Sequence, residues 1–153
     1  MKDQYAICTV KDAGGSKGRG LFAASFISRS SVIDDSHVLL FQPDEWEQHG
    51  KYTILQHYTF RWREGQFALA LGVGSLFNHN RNPNVGWMRL FDEKVIRFTA
   101  LRDIEEGEEL LICYGSSSLV SSWMQQDEED DDDKSESDEE EIQLFLQSLS
   151  PEE

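Results

Sequence analysis

Gly74-Ser75-Leu76-Phe77-Asn78-His79-Asn80-Arg81-Asn82-Pro83-Asn84-Val85 is the most informative run in the chain. Alone it reads as no more than a polar turn, with His79 flanked by Asn78 and Asn80, and a lone histidine is more often structural than catalytic. Upstream, Gly18-Arg19-Gly20-Leu21-Phe22-Ala23 carries a G-x-G after a loop rich in Gly and Lys. Its plain reading is a tight turn that needs positive φ. The third glycine and following helix of a dinucleotide fingerprint are missing, which argues against a Rossmann site. Downstream, Ile104-Glu105-Glu106-Gly107-Glu108-Glu109-Leu110-Leu111-Ile112-Cys113-Tyr114-Gly115 reads as a turn leading into an apolar strand. Tyr114 at its end would ordinarily be a packing residue.

Together and in this order, the three stretches say more. They resemble the signatures of the SET-domain family of protein lysine methyltransferases: a GxG loop, an N-H-S-x-x-P-N segment and a G-E-E-L…Y-G strand. The resemblance covers residues 4–115, essentially all of the globular part. It implies a mostly β fold, the SET-domain (β-clip) arrangement of small sheets with few short helices. A knot-like C-terminal crossing would lie near Asn78 and His79. It also implies S-adenosylmethionine as cofactor and methyl transfer to the ε-amine of a protein lysine entering a narrow channel. Carried over residue by residue, the backbone around Lys17, Gly18, Arg19 and Gly20 would hold the cofactor's amino-acid end. Asn78 would contact it by side chain and His79 by backbone, and Tyr114 would be the catalytic tyrosine at the pore. Trp87, Ile112, Tyr58 and Trp123 are the candidates for the substrate channel, although Trp87 and Ile112 read equally well as core residues.

The chemistry suits these residue types. The transferred methyl is already activated, so alignment of the reacting groups is the main task. The lysine must attack as the free amine, although its reference pKa is about 10.4. A dry, apolar channel disfavours the ammonium. Carbonyls and a tyrosine hydroxyl can accept weak C–H···O contacts from the electron-poor methyl, and aromatic walls stabilise the cation and the methylated product. Neither a metal nor a covalent nucleophile is required, in agreement with a sequence that has no metal-ligand cluster.

Three departures from the family pattern stand out. Asn80 occupies the usual place of Ser, and Cys113 stands where many members have Asp. No cysteine-rich flank accompanies the domain, where many members use a zinc-bound segment to close the lysine channel. Residues 116–126, with Leu119, Trp123 and Met124, are therefore expected to close it, or else a second subunit in a homodimer. A minimal domain of this kind is similar in layout to stand-alone viral and fungal members.

Composition sets the frame around the motifs. The chain of 153 residues suffices for one domain, and 39% hydrophobic residues suffice for its core. Its formal charge of −15 is unevenly spread: residues 127–153 hold 14 acids and one Lys, leaving residues 1–126 with a net charge of −2. The division expected is a SET domain over 1–126, an acidic disordered linker over 127–141 and a short apolar tail over 142–153. Within the tail, residues 142–149 have the spacing of a small amphipathic helix. No apolar run reaches the roughly 18 residues of a membrane span, and the N-terminus does not resemble a signal peptide. The two cysteines, Cys8 and Cys113, are too few for a disulfide framework and read as reduced thiols. No basic stripe exists to collect phosphates, which argues against direct nucleic-acid binding.

Residues 5–10, 31–41, 66–70, 85–91, 95–100 and 110–114 read as strands, and Asp92-Glu93-Lys94 as a hairpin connection. Tyr58, Phe60 and Trp62 alternate ahead of residues 66–72. Pro43-Asp44-Glu45 opens a helix to about residue 57, and residues 119–126 suggest another.

The acidic tail fits a basic protein partner, a histone or nucleosome, attracted in a salt-dependent way. Histone H3 is the expected substrate and the nucleus the expected location, with the cytoplasm as a second compartment. Two other readings stay open. One is a methyltransferase of a non-histone protein. The other is a non-catalytic histone-binding or chaperone-like protein, which would have no reason to keep a cofactor pocket.

Overall fold

The computed structural model describes residues 7–114. The expectations for residues 119–126, 127–141 and 142–149, and for Trp123, fall outside them. Among the described residues, nine strands form two sheets and one short α-helix accompanies them. The first sheet has the order β1-β2-β9-β6, with β1 at Cys8–Asp12, β2 at Arg19–Ala23, β6 at Asn78–His79 and β9 at Glu109–Ile112. The second has the order β4-β5-β3-β8-β7, with β3 at Val32–Phe41, β4 at Thr59–Arg61, β5 at Phe67–Ala70, β7 at Val85–Leu90 and β8 at Val95–Ala100. Among the described residues no helix is long and apolar enough to cross a membrane.

The alternation of strand residues explains which side chains meet. A strand sends successive side chains to opposite faces, and β8 buries Val95, Ile96, Phe98, Thr99 and Ala100 because it is central and covered on both faces. Phe77, Phe98, Leu21, Ile96, Ile104, Leu110, Ile112 and Val85 are the largest fully buried side chains. Phe77 and Phe98 stack with centroids 4.4 Å apart. This core lies between the two sheets and fixes the place of the segment 77–85.

Where structure and sequence reading differ, the reasons are local. The helix expected to run to about residue 57 stops after α1, Pro43–Gln48. Short 3-10 turns follow at Gly50–Tyr52 and Ile54–His57. Trp46 folds over Phe41 and Phe67, with centroids 5.5 and 4.4 Å away, and the chain at Gly50 packs against its indole. A Cβ at Gly50 would lie 2.3 Å from the Trp46 ring, so glycine is obligatory there. Leaving the helix is what brings the chain into that contact. The GxG segment itself begins β2, which the reading as a loop concealed. The first strand lies at Cys8–Asp12, two residues beyond the end expected, and residues 1–6 are outside the description. The hairpin connection is four residues rather than three. Leu90 pairs with Val95, and Lys94, at φ 54°, donates its N–H to the Phe91 carbonyl.

One cross-strand ion pair offers a test of surface electrostatics. Asp35 and Arg97 face each other in the β3–β8 ladder and form a bidentate pair at 2.8 and 2.7 Å. The Arg97 hydrogen bond holds the Asp35 carboxyl below its ordinary pKa. A carboxylate whose folded pKa is depressed adds stability above its unfolded pKa and loses it as pH falls through the folded value. Because both groups face solvent, Asp35→Asn is expected to lower stability by under about 1 kcal/mol at neutral pH. In urea melts the difference should close below roughly pH 4.

Candidate active site

Two clusters of polar groups lie around the first sheet. The first is a corner where β2, β6 and β9 converge. Asn78 and His79 pair in parallel with Leu111 and Ile112. The Asn78 amide donates through Nδ2 to the Arg19 carbonyl at 3.2 Å and to Glu109 Oε1 at 2.8 Å. Lys17 Nζ stands 3.6 Å from Glu109 Oε2. The loop enters this corner through Gly18, at φ 67°, in a conformation that side chains strain to adopt. Lys17, Gly18, Arg19, Gly20 and Asn78 are thus brought together, and Glu109 joins them.

Gly20 is the tightest point of the corner. A Cβ there would lie 2.7 Å from Asn78 Nδ2 and 2.7 Å from Glu109 Oε1. The corner offers the contents that the two ends of a zwitterionic amino acid need. These are an ammonium at Lys17, a carboxylate at Glu109, the Asn78 amide and a glycine backbone open to close approach. Such groups fit the amino-acid end of S-adenosylmethionine, the cofactor of SET methyltransferases. Gly20→Ala is expected to push Asn78 and Glu109 apart and weaken cofactor binding roughly tenfold, equivalent to about 1.4 kcal/mol. Calorimetric titration of the folded variant checks this.

The second cluster surrounds Tyr114. Its hydroxyl donates to the Phe77 carbonyl at 2.5 Å, and its backbone N–H donates to His79 Nδ1 at 2.9 Å. His79 Nδ1 therefore carries a lone pair, and the two rings lie 5.1 Å apart. Burial, and after it the neighbouring Tyr58, pushes the Tyr114 phenol above its ordinary pKa. Beside it opens a pocket of about 460 Å³ whose walls include Tyr58, Phe60, Phe77, Trp87 and Tyr114. Trp87 is held by its indole N–H, which donates to the Cys113 carbonyl at 3.1 Å, and by Phe60 edge-on at 4.9 Å.

Of the residues expected at a substrate channel, Tyr58 and Trp87 therefore line the same pocket as Tyr114. Ile112 does not: it is buried in the core, one register position from the Asn78–Leu111 pair, and is not among the residues that line the pocket. Cys113 spends its carbonyl on Trp87, and its thiol donates to the Tyr114 carbonyl at 3.7 Å. Cys8 is half-buried, and burial with nearby Asp34 raises its thiol's pKa. The Cys8 thiol is therefore a poor nucleophile.

Other contributors carry little sequence signal. Phe77 acts through its backbone carbonyl, which no side-chain pattern reveals. Asn84 is buried and ties two strands together: Nδ2 donates to the Glu109 carbonyl and Oδ1 accepts from the Leu111 N–H, both at 2.8 Å. Its signal was its place after Pro83. Arg89 lies two positions after Trp87 on β7, so strand period places it on the same face. Its guanidinium is 5.1 Å from the Trp87 ring.

Comparison with known proteins agrees with this geometry. Residues 18–115 match the family model of the SET domain. The histone-lysine N-methyltransferase of Schizosaccharomyces pombe described as H3 lysine-37 specific is 50% identical over 99 residues, covering 65% of this chain and 67% of that protein. The crystal structure of CpSET8 from Cryptosporidium superposes with a TM-score of 0.57 at 29% identity, over 74% of this chain and 59% of the other. A candidate histone methyltransferase of Plasmodium falciparum superposes with a TM-score of 0.56 at 24% identity, over 72% and 94%. That last likeness speaks for the fold alone. With the motif residues gathered at one corner and one pocket, and the match running over most of the described residues, the chain belongs to the SET-domain family of protein-lysine N-methyltransferases.

Proposed function

We propose that the protein transfers a methyl group from S-adenosylmethionine to the ε-amine of a lysine in a histone tail, with histone H3 as the substrate. The observation that carries the reading is the Tyr114 hydroxyl, bonded to the Phe77 carbonyl, in the wall of an aromatic pocket. The substrate class rests on the Schizosaccharomyces pombe relative, whose described activity is on H3. A nuclear location follows from that substrate.

The cofactor, when bound, supplies a methyl group made electrophilic by its sulfonium. Lys17, Gly18, Arg19, Gly20, Asn78 and Glu109 would hold its amino-acid end, and the backbone at His79 would lie along its adenine. The remaining work belongs to the chain. Tyr58, Phe60 and Trp87 wall the path of the lysine and keep it dry, which disfavours the ammonium and leaves the attacking lone pair accessible. Arg61 and Arg89 are among the described residues that line the same pocket. Tyr114, with its pKa raised, stays a neutral phenol over the working range. Its proton is committed to Phe77, so the oxygen's remaining lone pairs are available to the C–H groups of the methyl. Orientation and water exclusion, rather than a chemical group donated by the protein, supply the rate.

The test is to incubate the protein with cofactor and core histones or nucleosomes and to locate added methyl groups by tandem mass spectrometry. Methylation of a defined lysine on H3 is the expected result. Transfer only to other proteins would replace the histone assignment with a non-histone substrate. Absence of both transfer and cofactor binding would leave a binding module.

A further inference from the structure

The side-chain amide of Asn78 has a donating end and an accepting end, and its neighbours in the first sheet decide which of them a ligand meets. Strand period sets those neighbours, because residues two apart share a face. Asn78 pairs with Leu111, and Glu109 lies two positions before Leu111 on β9. Glu109 pairs in turn with Phe22, and Gly20 lies two positions before Phe22 on β2. Asn78, Glu109 and Gly20 therefore stand side by side on one face.

An amide nitrogen carries two N–H groups, and Asn78 Nδ2 has two acceptors, the Arg19 carbonyl at 3.2 Å and Glu109 Oε1 at 2.8 Å. Turned over, the amide would set Oδ1 against the same two oxygens, acceptor against acceptor. Its partners thus fix its sense and leave Oδ1 as the end that accepts. Donation to a carboxylate also polarises the amide and makes Oδ1 a better acceptor. Glu109 is itself held in place. Its side chain is 16% exposed, Oε2 lies 3.6 Å from Lys17 Nζ, and its backbone carbonyl accepts from Asn84 Nδ2 at 2.8 Å. Both carboxylate oxygens already serve groups of the chain. Gly20 shows how closely the pair is packed. Its φ is not positive, so the demand for glycine comes from space. The two atoms that a Cβ would meet at 2.7 Å, Asn78 Nδ2 and Glu109 Oε1, are the two ends of that hydrogen bond.

We propose that Glu109 is a positioning residue for the cofactor: it locks the Asn78 amide so that Oδ1 accepts from the α-ammonium of S-adenosylmethionine, and its part in holding the cofactor runs through that amide. The inference rests on the reading of this corner as the seat of the cofactor's amino-acid end. An ammonium offers donors only, so a reversed amide would meet it with N–H groups and lose the bond. An amide fixed before the ligand arrives has no ordering cost left to meet on binding.

The experiment uses the full chain and two probes. S-adenosylhomocysteine keeps the amino-acid end and cannot donate a methyl group, whereas 5′-methylthioadenosine lacks that end. Calorimetric titration compares the unaltered protein with Glu109→Ala and with Glu109→Met, which keeps the length of the side chain and so its packing. Both variants should bind S-adenosylhomocysteine about tenfold more weakly and 5′-methylthioadenosine unchanged to within about twofold. In an Asn78→Ala background, Glu109→Met should weaken S-adenosylhomocysteine by less than about twofold, because the two changes remove one interaction. In the unaltered protein, the side-chain amide protons of Asn78 should exchange with water about tenfold more slowly than those of exposed Asn82. Equal exchange would overturn the proposal whether or not the variants fold. Equal losses for the two probes would overturn it by making Glu109 a support of the whole domain. A tenfold loss that persists in Asn78→Ala would overturn it by making Glu109 a direct contact. If the unaltered protein binds neither probe, or both equally, the reading of the corner fails and the proposal with it, a result seen before any variant is made.

Discussion

Tyr114→Phe is expected to reduce kcat for lysine methylation by about a hundredfold, in the range found when one preorganised hydrogen-bonding group is removed from a reacting centre. The ring remains, so the pocket keeps its wall and the backbone N–H still reaches His79 Nδ1. What disappears is the hydroxyl, and with it the bond to the Phe77 carbonyl. The loss falls on alignment of the methyl and the amine. Cofactor affinity, which we propose rests on the corner around Asn78 and Gly20, should change less than threefold. Single-turnover kinetics with calorimetric cofactor binding separate the two. The raised pKa of the phenol adds a second expectation: kcat of the unaltered enzyme should not fall through loss of the Tyr114 proton on the alkaline side up to about pH 10. A Phe variant with nearly full kcat would remove Tyr114 from the pore.

The largest effect on stability is expected from Asn84→Ala. Asn84 is 3% exposed, and its side chain satisfies two backbone groups of β9, the Glu109 carbonyl and the Leu111 N–H. Alanine leaves both orphaned in the interior, where each unsatisfied group costs about 1–3 kcal/mol. A loss of about 3–5 kcal/mol is a large share of the stability of one domain. Thermal melts should show Tm lower by about 10 °C or more. Asn82, exposed in the same segment, is the control, and Asn82→Ala should stay within about 0.5 kcal/mol. Because Asn84 also sets the register of β9 beside Asn78 and His79, any folded Asn84→Ala protein should bind cofactor less tightly. Equal stability of the two variants would show that β9 is held by its strand partners alone.

Much of this site was legible beforehand because its parts are short, local patterns. The glycines of Gly18-Arg19-Gly20, the run from Gly74 to Val85 and the strand ending at Tyr114 each sit within a dozen residues. The alternation of Tyr58, Phe60 and Trp62 was visible in the sequence, and the structure places Tyr58 and Phe60 in the pocket wall and Trp62 against Phe91. The alternation that places Arg89 on the same face as Trp87 is equally visible in the sequence, whereas the pocket that this face meets is not.

The identity and order of the candidate site groups are readable along the chain, because backbone conformation at glycines, strand period and charge runs are set by near neighbours. How those groups meet is a matter of long-range packing. Asn78 reaches Arg19 across 59 residues, Tyr114 reaches Phe77 across 37 and Asn84 reaches β9 across 25 and 27. None of these bonds has a local signature, since each depends on the short parallel pairing of β6 with β9 and on a core that presses one sheet against the other. The same packing sent Ile112 into the core and turned the two arginines toward the pocket. A side chain's face is a matter of local period, but whether that face meets core or cavity is settled only when the sheets close on each other.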